Sequence, residues 1–187
     1  MADWDEIYRE KSVDESSAAR VLTENKRLIG RAGSALDFAS GLSANGVFLA
    51  QLGMQVTAWD SSAVAVEKTN QYAKQHGLTL TAEKKDLENN LNELQGEFDI
   101  IVVSFFLYRP AFEKLYELLK PGGLLFYQTF SGEQVNGAGP SRREFRLRRG
   151  ELLQVFSRME LLFYRADPLL PDAPGICSDQ VLFVAKK

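Results

Sequence analysis

The stretch SALDFASGLSANGVFLAQLGMQVTAWD, from Ser34 to Asp60, decides the fold. Its opening, 34–39, is apolar and reads as a strand. Ser40-Gly41-Leu42-Ser43 makes a turn, and 44–52 reads as a helix that stops at Gly53. Residues 54–59 form a second strand that ends at Asp60. A strand, a crossover helix and a second strand imply a parallel pair.

The same alternation continues outward. Ser61 or Ser62 suits the cap of a helix running to His76 and stopping at Gly77. Residues 78–83 alternate as a third strand. Residues 98–103, Phe-Asp-Ile-Ile-Val-Val, are rich in β-branched side chains and make the fourth. Pro110 opens a helix over 111–119, and Pro121-Gly122-Gly123 turns into a fifth strand at 124–130. A helix at 150–157 and strands at 159–166 and 180–185 follow. The proline-rich 168–175 stretch reads as a hairpin loop that makes the last two strands antiparallel. Upstream, Trp4, Ile7 and Tyr8 mark a short amphipathic segment within 1–14. Residues 16–29 read as a helix with Val21, Leu22, Leu28 and Ile29 inward. The prediction is one α/β domain over 1–187: an open, doubly wound, mostly parallel seven-stranded, Rossmann-like sheet with an antiparallel C-terminal hairpin. Residues 1–30 form a helical appendage or lid.

Composition narrows the function. The 187 residues fit one domain, and 45% hydrophobic with 25% charged residues is ordinary for a globular chain. A net charge of −3 argues against a general nucleic-acid partner. One cysteine, Cys177, and one histidine, His76, exclude an internal disulfide and argue against a cysteine- or histidine-built metal site, so no metal is expected. Cys177 has no basic neighbour in sequence and reads as a structural thiol. His76, at a helix end, reads as a surface residue. The acidic N-terminus lacks a signal-peptide pattern and no apolar run approaches a membrane span, so a cytoplasmic location is expected.

In an open parallel sheet the ligand crevice lies at the carboxyl ends of the strands. After the first strand, Asp37 and the small-residue turn Ala39-Ser40-Gly41 open a helix, which lets a ligand approach backbone N–H groups. Asp60, 23 residues after Asp37, is placed either to bind two ribose hydroxyls or to cap the next helix. Asp86 and Leu87 follow the third strand, where a carboxylate can accept from an adenine amine. Ser104, Phe105, Phe106 and Tyr108 follow the fourth. A full dinucleotide G-x-G-x-x-G is absent: only Gly41 stands in the frame of Ala39, Gly41 and Ala44. That absence and the antiparallel ending argue against a nicotinamide-dependent oxidoreductase.

In this order the motifs resemble those of class I S-adenosylmethionine-dependent methyltransferases, within them the small bacterial group related to the tellurite-resistance methyltransferases. The likeness runs from Trp4 to about Arg165. It rests on Leu36-Asp37-Phe38-Ala39-Ser40-Gly41 with Asn45, on Val56-Thr57-Ala58-Trp59-Asp60, on Asp86-Leu87 and on Leu119-Lys120-Pro121-Gly122-Gly123. Gly139-Pro140 and Phe145-x-Leu147-Arg148-x-Gly150-Glu151-Leu152 resemble the smaller group. The resemblance implies S-adenosyl-L-methionine as cofactor and a small-molecule methyl acceptor. It implies that Asp37, Ala39, Ser40, Gly41 and Asn45 hold the methionine part, Asp60 and Ser61 the ribose, Asp86 and Leu87 the adenine. Ser104 and Phe105 would border the methyl group, and Trp4 and Tyr8 would close over the acceptor side.

The chain also departs from that pattern. Glycines are usual where Ser43 and often where Ala39 stand, and an arginine is common where Ala44 stands. A Cβ at Ser43 enters where backbone approaches the ligand, so Ser43 either donates to the ligand carboxylate or reduces affinity. Tyr108 takes the place of a histidine and is the one candidate for proton transfer. These departures leave a non-catalytic interaction module of the same fold as the alternative. Five arginines within 142–149 are a sharp local excess. Arg142, Arg143 and Arg146 are expected to clamp an anionic acceptor, since guanidinium forks match carboxylates and oxyanions.

Overall fold

The computed structural model describes residues 3–30, 32–132, 134, 139–166 and 179–187. The strands β1 (Ser34–Phe38), β2 (Gln55–Asp60), β3 (Leu80–Lys84), β4 (Phe98–Ser104), β5 (Leu119–Phe130), β6 (Glu160–Ala166) and β7 (Gln180–Lys186) form one sheet. Its order is β3-β2-β1-β4-β5-β7-β6. The pairs from β3 to β5 are parallel, while β7 runs antiparallel between β5 and β6. This is the predicted doubly wound, mostly parallel seven-stranded sheet with an antiparallel ending. The chain order reverses beside β1, so a crevice opens between β1 and β4 at their carboxyl ends.

Alternation along the strands sends side chains to two faces. Ala35, Val56, Ile100, Val102, Phe126 and Leu182 point to one face. There they meet α2 (Arg20–Glu24), α3 (Ala44–Gln51) and α4 (Ala63–Gln75) through Leu22, Leu49 and Ala73. Leu36, Phe38, Ile101, Val103, Tyr127 and Phe183 point to the other, against Phe112 and Leu115 of α5 (Ala111–Leu118) and Leu152 of α6 (Glu151–Val155). Both layers are needed because the central strands are apolar on both sides.

Two elements differ from expectation. The predicted helix over 16–29 shortens to α2 and a 3₁₀ turn, Lys26–Leu28. Asn25 ends it: its Nδ2 donates to the Val21 carbonyl at 3.0 Å and competes with the helical ladder. The fifth strand begins at Leu119 rather than 124, with a register shift against Phe98 and Ile100. Gly123 sits so close to β4 that a Cβ there would lie 3.0 Å from the Phe98 carbonyl oxygen. The 168–175 loop and Cys177 lie outside the described residues. His76 is exposed at the end of α4 and stacks on Tyr72. No helix among the described residues is long and apolar enough to cross a membrane.

Candidate active site

The turn after β1 is built from hydrogen bonds between strand ends. Ser40 N–H donates to the Trp59 carbonyl at 3.0 Å, and Gly41 N–H to Asp60 Oδ2 at 2.7 Å. The other oxygen of Asp60 accepts the Ser62 N–H at 2.9 Å. A carboxylate offers about four acceptor sites, and the amides of Gly41, Ser61 and Ser62 draw on three, so about one remains. Asp60 is 7% exposed. Burial pushes its carboxyl up, against the Ser62 and Gly41 amides that draw it down. Ser62, rather than Ser61, caps α4 by accepting from Ala65 N–H.

Asp37 lies beneath this turn and is fully buried. Ser43 Oγ donates to it at 2.8 Å, Gly46 N–H at 3.0 Å and Asn45 Nδ2 at 3.3 Å. Burial pushes its carboxyl up to about 7, although those three donors pull the other way. Asn45 also donates to Ser104 Oγ at 2.8 Å and accepts from Ala19 N–H at 2.8 Å. Asn45 thus joins β1, β4 and the N-terminal appendage. Gln128 makes the same kind of bridge, accepting from Val21 N–H at 2.9 Å and donating to Gln180. Neither Gln128 nor Ala19 was foreseen; a buried amide reaching across 107 residues leaves no local pattern.

Three non-glycine residues among those described have left-handed backbone: Ala39, Ser43 and Phe105. All three follow the carboxyl ends of β1 or β4. The geometry explains why glycine suits positions 39 and 43, and it stores roughly 1–2 kcal/mol at each residue. Ser43 is wholly buried, with its hydroxyl given to Asp37.

At the third strand, Asp86 accepts from Glu88 N–H, Asn89 N–H and Asn89 Nδ2 within its own turn. About one acceptor site remains for a ligand. Leu87 is buried in the core under that turn. Phe105 is 52% exposed and leans on Phe130 at 5.4 Å between centroids. Over the crevice lies α1 (Trp4–Arg9). Trp4 stacks on Tyr8 at 5.9 Å. The Tyr8 hydroxyl covers Gly41 so closely that a Cβ there would meet it at 2.6 Å. Burial, with the charges of Asp60 and Asp37, pushes that phenol up to about 12.

The arginine cluster divides. Arg146 is 2% exposed; it donates to the carbonyls of Gly132 and Pro140 and pairs with buried Asp179. Its guanidinium is a staple between Gly132, Pro140 and the start of β7, and with a side chain 1% exposed it is the lining residue of the cluster already committed to the fold. Arg142 is exposed and stands 3.6 Å from Glu144. Arg143, Arg148 and Arg149 line a groove of about 710 Å³ beside Arg109. Arg109 itself holds Glu151 through two bonds, 2.7 and 3.0 Å, and reaches the carbonyls of Glu144 and Arg146. Burial pushes the Glu151 carboxyl up, but Arg109 and the Arg148 N–H outweigh it and hold it below the usual range. Tyr108 donates its hydroxyl to the Glu88 carbonyl at 2.9 Å, tying the loop after β4 to the 86–90 turn. Among the described residues no group of three His, Cys, Asp or Glu is placed to hold a metal.

Residues 35–123, which carry the crevice from β1 through the Pro121-Gly122-Gly123 turn, match the model of the methyltransferase domain family. The matched segment carries a methyltransferase domain, and the whole chain has the fold of the class I S-adenosylmethionine-dependent methyltransferases. Within that class the chain resembles TehB. It superposes on TehB from Haemophilus influenzae with a TM-score of 0.76 and 20% identity, over 98% of this chain and 67% of that one. A TehB-like methyltransferase from Corynebacterium glutamicum gives 0.63 and 20%, over 89% and 87%. The 1,6-didemethyltoxoflavin-N1-methyltransferase of Burkholderia thailandensis gives 0.65 and 16%, over 97% and 80%. No curated protein matches the chain by sequence.

Proposed function

We propose that this methyltransferase acts on a small molecule bearing an anionic group, seated in the arginine groove between the loops that follow β4 and β5. The observation that carries the reading is the groove itself. Arg143, Arg148 and Arg149 converge beside Arg109 at the carboxyl ends of the strands, in a chain whose net charge is negative. Guanidinium groups there select carboxylates and oxyanions by charge and by fork geometry. The Burkholderia relative, of the same fold, holds a small-molecule acceptor together with S-adenosylhomocysteine.

The residues fit the cofactor. Asp60 keeps about one acceptor site for a ribose hydroxyl, with Ser61 beside it, and Asp86 keeps one for an amine over Leu87. The Ala39-Ser40-Gly41 turn brings backbone to the crevice, braced from below by Asp37 and Asn45. When bound, S-adenosylmethionine supplies a methyl group already activated on a sulfonium. The chain's task is then positioning, where effective molarities of about 10⁵–10⁸ M are available. Ser104, Phe105 and Phe130 would wall the methyl end. Trp4 and Tyr8 close the top. No side chain here is assigned as a general base; the Tyr108 hydroxyl is spent on Glu88.

Calorimetric titration with S-adenosylhomocysteine tests the cofactor site. Micromolar binding, about −8 kcal/mol, is expected for the wild type and a sharp loss for Asp60→Ala. No wild-type binding overturns the reading. A panel of carboxylate and oxyanion acceptors, each with a neutral analogue, tests the groove by S-adenosylhomocysteine release. Turnover is expected only with the anions, and with a raised KM in Arg143→Gln. Turnover with neutral analogues alone overturns the anionic acceptor.

A further inference from the structure

Helices α1 and α4 cap each other. Lys68, on α4, gives its ammonium protons to the carbonyls that end α1: Tyr8 at 2.9 Å, Arg9 at 2.7 Å and Lys11 at 2.7 Å. Asp5, in the first turn of α1, accepts from Ser62 Oγ at 2.6 Å and Val64 N–H at 3.2 Å, at the start of α4. A cation thus sits at the negative end of α1 and an anion at the positive end of α4. Hydrogen bonds to Ser62 and Val64 hold the Asp5 carboxyl below its usual range. With six residues, α1 is far too short to persist alone, so its order depends on what fastens it. Besides the two polar fastenings, only the Tyr8 ring joins an apolar cluster, with Val13, Leu42 and Ala65.

What α1 delivers is Tyr8, whose hydroxyl lies over Gly41 at the turn that Asp60 organises. The fastening is close to that turn in sequence and in space: Ser62, which holds Asp5, also donates its N–H to Asp60. We propose that Asp5 and Lys68 are positioning residues for the cofactor: they act through Tyr8, latching its ring over the Gly41 turn, and the closed latch raises affinity for S-adenosylmethionine. The proposal rests on the reading of the crevice as the cofactor site. It adds that α4 serves that site twice, once by Ser62 beneath Asp60 and once by Lys68 through α1. Binding to a closed state is weakened in proportion to the time the latch stands open.

The test is a double-mutant cycle on S-adenosylhomocysteine affinity with Lys68→Met, Tyr8→Ala and the pair, supported by Asp5→Asn. Lys68→Met and Asp5→Asn are each expected to weaken binding about tenfold, and Lys68→Met to add nothing further once Tyr8 is alanine. A role in general stability would weaken binding equally in both backgrounds. Limited trypsin digestion gives a second readout. Cleavage after Arg9 and Lys11 is expected to be slow in the wild type, slower still with S-adenosylhomocysteine, and fast in Lys68→Met. Unchanged affinity in Lys68→Met, or an equal loss in both backgrounds, overturns the latch while leaving the cofactor site standing. Absence of binding in the wild type overturns the cofactor reading itself.

Discussion

Ser43 shows how one residue answers two opposed demands. Its backbone is left-handed, at φ 54°, which a serine holds at a cost of roughly 1–2 kcal/mol. Its hydroxyl returns a hydrogen bond to buried Asp37, and a bond to a charged partner contributes about 1.5–3 kcal/mol. The bond is the larger effect. Ser43→Gly removes both and is expected to destabilise by about 1 kcal/mol. Ser43→Ala keeps the strain and loses the bond, so it is expected to fall about 1 kcal/mol further. Urea unfolding of the three proteins orders them, and a glycine variant as stable as the wild type would refute the hydrogen-bond account. Because the side chain faces away from the crevice, S-adenosylhomocysteine affinity in Ser43→Gly should be unchanged or tighter. Sequence alone set Ser43 against an approaching ligand; it could not show that the hydroxyl turns inward, since Asp37 is six residues away and nothing local marks the contact.

At the scale of elements, the acceptor side is held by one pair. Arg109, after β4, and Glu151, at the start of α6, fasten two loops that no strand joins. Glu151 is 3% exposed in its side chain and Arg109 34%. Removing Arg109 leaves a buried carboxylate with only the neighbouring Arg148 groups. A full buried-pair loss costs about 3–5 kcal/mol, and the partial exposure of Arg109 reduces this to about 2–3. Arg109→Met is therefore expected to unfold at lower urea by that amount. Arg109→Met with Glu151→Leu should be more stable than Arg109→Met alone, because no stranded charge remains. A double variant weaker than the single one would show that the pair's value is geometric rather than electrostatic. The five-arginine run was legible as an excess of charge. Its division was not: Arg146 is set apart by Asp179, 33 residues on, and by the Gly132 and Pro140 carbonyls, and burial of a guanidinium cannot be read from its neighbours in sequence.

For the whole molecule, the sheet was legible because the central parallel strands bury both faces and announce themselves by apolar density, while the edge strand β3 shows itself by alternation. Its strand ends frame the crevice, and Asp37, Gly41 and Asp60 stand at those ends, as their places in the sequence predict. What was hidden is the polar fastening of that frame: Asp5 and Lys68 on paired helices, Asn45 to Ala19, Gln128 to Val21. These are long-range polar contacts, made by ordinary surface-type residues. Their summed electrostatics shape the response to pH. The carboxyls of Asp5, Asp86, Asp99, Glu117 and Glu151 lie below their usual values, so they contribute stability that is lost as pH falls through the acid range. Asp37 works in the opposite direction. Its carboxyl titrates near 3.8 in the unfolded chain and at about 7 in the fold. Between those values the folded state holds a proton that the unfolded state has released, so stability falls as pH rises through that window and levels off above it. Asp60, also raised by burial, adds to the fall. Unfolding free energy measured by urea from pH 4 to 8 should therefore decline toward neutrality in the wild type. In Asp37→Asn that decline should shrink, with the difference between the two proteins growing steadily from pH 4 to 7 and constant beyond. Parallel curves across the whole range would mean that Asp37 keeps an ordinary carboxyl in the fold, its three donors fully offsetting its burial.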